Sequence, residues 1–429
     1  MWKYFLIFIF IVRSASSVKA QGVDYFLDMA LKYSPLVKSQ IHRMNAAEKL
    51  YDKESIFQQN PIFSIGYSNI PLSDWPALDK HSMSGISIGV SQYIASPWGD
   101  TYRKRTFYQK YQSEKESLKE TQNLLIFQVQ SAFHNILFLY KKQNILKENM
   151  KVLADVLRLV ESLVSVNKMN SSHLLKLRGD VSALNNRIIE LNGDISIAKA
   201  DMERICGIAL NWDITDKSID SWIDANRAKG NFEGFHVENH PLYRKVYSHY
   251  VGERAAYQLE IAKLNPGVIF GFDYRIRQEI PGKDNGEDFL SFKASMPIPL
   301  YYALKERHSI NAAKEKQDEL KEILKGIEIE LSTKWKGEKE NYSKLLEAFT
   351  SYEKQVLPSY WSAYEAQIAS LSGGNINLLD VLDAYRLYLN ASLEAARLYR
   401  DLMISGLRLN YLIYKFPGKE GIDQQMGKH

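Results

Sequence analysis

The sequence has a single cysteine, Cys206, in 429 residues. One thiol cannot close an intramolecular disulfide or form a cysteine-rich zinc module. Proline (12) and glycine (23) are sparse, which favours long uninterrupted helices. Past the first twenty residues no apolar run approaches the roughly 18 residues that a spanning helix needs. Neither charge sign dominates strongly: the net is +5, from 55 basic and 50 acidic residues. P-loop, dinucleotide-fingerprint and HExxH patterns are all missing. What is present is 45% hydrophobic and 24% charged residues, with 26 tyrosines. That is too apolar for a disordered chain and too charged for a bundle of membrane helices.

Residues 1–20 read as a secretory signal. Lys3 precedes the apolar run from Tyr4 to Val12, and small residues flank Val18-Lys19-Ala20, with cleavage expected before Gln21. Nine apolar residues are too few to cross a bilayer as an anchor. Without this segment the chain has 52 basic and 50 acidic residues, a net of +2. The case for a nucleic-acid partner goes with the lost charge. No cysteine follows the signal to carry a lipid. An exported chain of this kind is periplasmic, extracellular or part of an outer-membrane β-barrel.

The rest is a duplication. Ser34-Pro35 precedes Asn60-Pro61 by 26 residues, and His240-Pro241 precedes Asn265-Pro266 by 25. Each interval holds a double alanine, Ala46-Ala47 and Ala255-Ala256. Pro97-Trp98-Gly99 finds a looser echo in Pro299-Leu300-Tyr301, His173-Leu174-Leu175-Lys176-Leu177 matches Asn377-Leu378-Leu379-Asp380-Val381, and the offsets of the matches stay between about 202 and 209 residues. The chain divides into a signal (1–20), a first repeat (21–206), a connector with Trp212 and Trp222 (207–234), a second repeat (235–416) and a tail (417–429). Each repeat reads as helix, strand, loop, strand, very long helix, turn, long helix.

Four segments alternate with period two: Ile62 to Asn69, Ser84 to Gln92, Val268 to Arg277 and Leu290 to Met296. One face is apolar and aromatic, the other small, polar or charged. The pattern fits a lipid-facing strand and a half-exposed soluble sheet equally well. Four strands cannot close a barrel, so membrane strands would have to be shared among subunits. Residues 100–166 hold no proline and carry a stripe of Leu125, Val129, Ala132, Ile136 and Leu139. At 1.5 Å per residue this predicts ~100 Å of helix. The return helix carries Leu177, Val181, Leu184, Ile188, Leu191, Ile195 and Ala198 at coiled-coil spacing. In the second repeat a helical run from about Ala303 to Ser370 should kink or break at Pro358. Its return helix runs to about Tyr414.

This ordered duplication, the paired Asn-Pro strand starts and the segment Leu378-Leu379-Asp380-Val381-Leu382-Asp383-Ala384 resemble the TolC-type outer-membrane efflux proteins. The segment from Asn60 to Pro71, followed by Ser91-Gln92-Tyr93, is similar to members serving heavy-metal transporters. The resemblance covers essentially the whole mature chain. It implies a mainly α fold: long helical hairpins forming a periplasmic α-barrel, and four strands per protomer in a shared trimeric 12-stranded β-barrel. It implies a homotrimer in the outer membrane reaching into the periplasm. It also implies a periplasmic adaptor and an inner-membrane transporter, such as one of the RND type. The function it implies is a passive exit duct, not an enzyme and without a cofactor. The alternative is a periplasmic or surface coiled-coil protein without channel activity.

Site residues follow. Asp380 and Asp383 share a helix face, and the resemblance places them at the periplasmic aperture, where three copies would ring the mouth with carboxylates. The plain alternative is an acidic first turn favoured by the helix dipole. Some relatives lock the mouth with a tip arginine, where this chain has Ile376. The first repeat has Lys176 and Gly179 at the equivalent positions. The turns with Asn167, Met169, Asn170 and Ser171, and with Ser372, Gly373, Gly374 and Asn375, are the expected adaptor contacts. Trp98, Tyr102, Arg103, Lys104 and Arg105 suit a membrane interface with lipid phosphates. His236 and His240, four apart, read as structural rather than metal-binding, and no metal site is expected. Ser165 and Lys168 share a Ser-x-x-Lys spacing without the other elements of that chemistry.

Overall fold

The computed structural model of the chain describes residues 22–56, 59–69, 72–167, 169–212, 232–372 and 378–415. The expected signal and C-terminal tail, most of the connector with Trp222, Lys168, and the tip residues Gly373, Gly374, Asn375 and Ile376 lie outside the described residues.

Two short helices open the chain: α1 (Val23–Tyr33) and α2 (Pro35–Ser55). Pro35 separates them, since it cannot donate to α1 but suits the first position of α2. Strands β1 (Ile62–Ser68) and β2 (Gly85–Ile94) follow. Then come the 69-residue helix α3 (Pro97–Ser165) and its return helix α4 (Ser171–Cys206). The second repeat runs through α5 (Pro241–Ala262), β3 (Val268–Ile276), β4 (Phe289–Ser295) and α6 (Glu306–Ser351). A π-helical turn at Tyr352–Val356 leads into α7 (Leu357–Ser372), and α8 (Leu378–Leu412) returns. The break expected at Pro358 is this turn. Pro358 offers no N–H to the carbonyl four residues back, and one wider turn absorbs the mismatch while the helix continues. The second long helix starts at Glu306 rather than near Ala303, because residues 300–305 form turns.

The four strands form one antiparallel sheet in the order β1-β2-β3-β4. The central β2–β3 pairing joins the two repeats. Register brings like residues into rows. Phe63, Val90, Phe272 and Phe292 lie abreast, as do Ile65, Ile88, Tyr274 and Leu290. The opposite face has rows of Ser64, Gly89, Asp273, Ser291 and of Gly66, Ser87, Arg275, Phe289. Among the described residues no helix covers the aromatic face: Phe63 is 62% exposed, Ile65 70% and Phe292 82%. The outer edges of β1 and β4 have no strand partner among the described residues.

The helices bury their seams in two cores. One joins α3, α4 and α8 through Leu146, Leu153, Val160, Leu177, Leu184, Leu191 and Tyr385. The other packs α1 against α3 and the end of α4 through Phe26, Val129, Phe133 and Met202. The predicted heptad residues of α4 are buried at Leu177, Leu184, Leu191 and Ile195, with Val181, Ile188 and Ala198 half-buried beside them. Among the described residues, no helix is long and apolar enough to cross a membrane.

Candidate channel surfaces and gate

The turn between α3 and α4 is short because two asparagines shape it. Asn167 takes a left-handed φ of 55°, a conformation that asparagine tolerates better than most residues. Asn170 caps α4, its side chain accepting from the Ser172 N–H at 2.9 Å. Met169 packs back onto the hairpin core. Ser171 and Ser372, expected in the turns, instead begin α4 and end α7. The turn also presents apolar surface that the sequence reading missed: Val166 is 61% exposed and Leu175 68%. Both sit next to the turn residues, and their exposure follows from the seam running along the other face of the hairpin.

Asp380 and Asp383 lie on the first two turns of α8, and both are exposed. Asp383 meets Arg386 at 3.3 Å. Arg386 also reaches across to α4, donating to both carboxylate oxygens of Asp180 at 3.1 and 2.9 Å. The two return helices are thus tied side chain to side chain near the tips. Neither Arg386 nor Asp180 stands out in sequence, since an Arg and an Asp some 200 residues apart carry no local signal. A second tie is buried: the Tyr385 hydroxyl donates to the Asn149 carbonyl at 2.8 Å, fixing α8 on α3.

The basic cluster after β2 lies in the first turns of α3. Trp98 is 70% exposed, and Arg105 is exposed with it. Arg103 and Lys104, expected to meet lipid phosphates, turn inward to Asp100, at 2.7 and 3.0 Å. Asp100 is only 5% exposed, and a buried carboxylate draws in cations before solvent or lipid can. Arg103 also lies 3.6 Å from Glu54 on α2. The cluster therefore staples the start of α3 to α2.

At the other end of the sheet, Arg277 pins two loops. It holds Asp284 at 2.7 and 3.1 Å, donates to the Glu287 carbonyl at 2.6 Å and to the Ser82 carbonyl of the β1–β2 loop. Its guanidinium stacks on Phe289, 4.3 Å from the ring centre.

His240 is fully buried and caps α5, its Nδ1 accepting from the Leu242 N–H at 3.2 Å. Its ring packs edge-on against Tyr411. His236 is exposed and does not approach such a role. Ser165 donates to the Ser162 carbonyl at 2.7 Å, as an ordinary helical serine does. Among the described residues no three His, Cys, Asp or Glu side chains gather as a metal site.

Beside His240 lies Glu120, whose carboxylate accepts from the Tyr411 hydroxyl at 2.5 Å. Burial pushes the Glu120 carboxyl up to about 7 and the His240 imidazole down to about 4. This polar knot joins α3, α5 and α8.

No protein-family model matches the chain, and no curated protein does. Solved structures do. The CusC structure aligns over 92% of this chain and 95% of its own, with TM-score 0.75 and 14% identity. The outer membrane protein VceC of Vibrio cholerae aligns over 91% and 95%, with TM-score 0.74 and 12% identity. The open state of the MtrE outer membrane channel of Neisseria gonorrhoeae aligns over 92% and 89%, with TM-score 0.75 and 14% identity. Near-complete coverage in both directions means that sheet and hairpins are both matched. The chain has the fold of the TolC-type outer-membrane channels.

Proposed function

We propose that the chain is the protomer of an outer-membrane exit duct, passive and non-enzymatic, serving a tripartite efflux or secretion system. The observation that carries this reading is the sheet. A four-stranded sheet with one exposed aromatic face and two unpaired edges is an aggregation hazard in water. It becomes stable when its edges pair with other copies and its aromatic face meets lipid. Three copies would close twelve strands into one barrel. The Ile70–Met83 and Gln278–Asp288 loops would face the exterior, and the hairpins would descend through the periplasm. A coiled-coil scaffold has no use for such a sheet.

In this reading residues 1–20 are the export signal, and 21–206 and 235–416 are the two repeats around the 207–234 connector. Asp380 and Asp383 would line the periplasmic aperture, with the Arg386–Asp180 pair helping to hold it. The turn at Asn167 to Ser171 and its counterpart at Ser372 to Asn375 would meet a periplasmic adaptor, and an RND-type or other inner-membrane transporter would supply energy. Trp98, Tyr102 and Arg105 would sit at the periplasmic-side interface of the outer membrane. Metal ions, drugs and other small molecules are all candidate cargo.

The test is fractionation followed by planar-bilayer recording. Recovery as a trimer from the outer membrane, with discrete conductance, is expected. A soluble periplasmic monomer without conductance would refute the reading.

A further inference from the structure

The small, polar face of the sheet carries three charged side chains at three levels. Lys293 on β4 faces Gly271, which in turn faces Ser91. Asp273 on β3 lies between Gly89 and Ser291, and Arg275 between Ser87 and Phe289. Successive levels are two residues apart, about 7 Å along the strands. Lys293 is nearest the helices and Arg275 nearest the loops.

Their neighbours are small, and the space is used. A Cβ at Gly89 would come within 2.0 Å of Asp273 Oδ1, and one at Gly85 within 3.0 Å of Arg275 Cγ. Asp273 and Arg275 therefore lie across β2, over backbone that any larger residue would cover. Among the described residues none of the three forms an ion pair within 4.0 Å, whereas Arg277, just past the strand, is neutralised by Asp284. Between the ends of the strands this face thus holds two cations against one carboxylate.

We propose that Arg275 and Lys293 set the ion preference of the barrel lumen, giving its membrane-depth section a bias toward anions. The proposal rests on the channel reading above. In a closed threefold barrel the aromatic face turns to lipid and this face to water, so each residue becomes a ring. Two cationic rings would bracket one carboxylate ring. Fixed charges on the low-dielectric wall of a water-filled pore raise the local concentration of counter-ions, which here are anions. The class of solute favoured at the exit is accordingly small and anionic. Carboxylates at the periplasmic mouth act in series with these rings, so the expected quantity is a change in selectivity when the barrel charges change.

The experiment uses the full-length trimer in planar bilayers under a KCl gradient. Chloride-to-potassium permeability is compared among wild type, the Arg275→Glu/Lys293→Glu pair and Asp273→Asn. The glutamate pair is expected to lower the ratio by about threefold or more, and Asp273→Asn to raise it. The Arg275→Gln/Lys293→Gln pair keeps side-chain length, and a smaller drop is expected there even if the glutamate pair fails to assemble. A conducting trimer whose ratio is the same in wild type and in the assembled pair overturns the proposal. A wild type without conductance removes the channel reading itself, and this assignment with it.

Discussion

Arg386 of α8 clasps Asp180 of α4 through both carboxylate oxygens, at 3.1 and 2.9 Å. Both return helices pack on α3, and this pair links them to each other directly. Both partners are partly exposed, so the pair contributes only about 0.2–1 kcal/mol to stability. In the proposed channel its larger effect would be on the opening of the hairpins. Arg386→Ala should raise the basal bilayer current with little change in melting temperature. Asp180→Asn should do the same, and the double variant should add little, since both remove one interaction. Unchanged current in both single variants would show that the pair has no part in closure.

The two sheet faces should differ in chemical access. Cys206 is buried, and burial raises its thiol to about 11, so the native cysteine stays silent toward maleimides. A water-soluble maleimide applied to cells is expected to label Ser291→Cys but not Phe292→Cys, although the two are neighbours on β4. Equal labelling would contradict the assignment of a lipid face and a lumen face.

Glu120 should make stability fall as pH rises. Its folded value of about 7 lies above the ordinary 4.5, so between those values the folded state binds more protons than the unfolded one. Stability is then lost through that window, by roughly 3 kcal/mol per protomer at most once the carboxyl is ionised. His240, lowered from 6.5 to about 4, works in the opposite direction, losing stability as pH falls through its own window. Glu120→Gln removes the first effect only. Melting curves from pH 5 to 8 should slope downward less in the variant than in wild type, and parallel curves would exclude Glu120 as the source.

Leu191 is 1% exposed in the core shared by α3, α4 and α8. Leu191→Ala should cost about 2–5 kcal/mol through lost burial and the cavity left behind. Ile189, two residues earlier and 59% exposed, should tolerate alanine in the monomer. Denaturant midpoints of the two variants compare these directly, and a similar loss in both would mean that the Ile189 face is covered in the assembled protein.

Much of this was legible along the chain, because it is local. Helix length follows from the missing prolines over 100–166, and the buried seam of α4 from the spacing of Leu177, Leu184 and Leu191. Strand faces follow from period-two alternation, which gave all four strands to within a residue or two. The Pro358 interruption was legible too, though not that a π turn would absorb it. The resemblance, not a local pattern, supplied the two aperture candidates Asp380 and Asp383, since acidic residues in a first helical turn are common by themselves.

Tertiary structure decided what depends on distant partners. It placed Arg386 on Asp180, turned Arg103 and Lys104 inward to Asp100, and tied the two loops together through Arg277. It also set the register that gathers Phe63, Val90, Phe272 and Phe292 into one row. Periodicity states which side of a strand is apolar. Only pairing across strands states whether those sides unite into a continuous face, and only the packing of the described helices away from it leaves that face exposed.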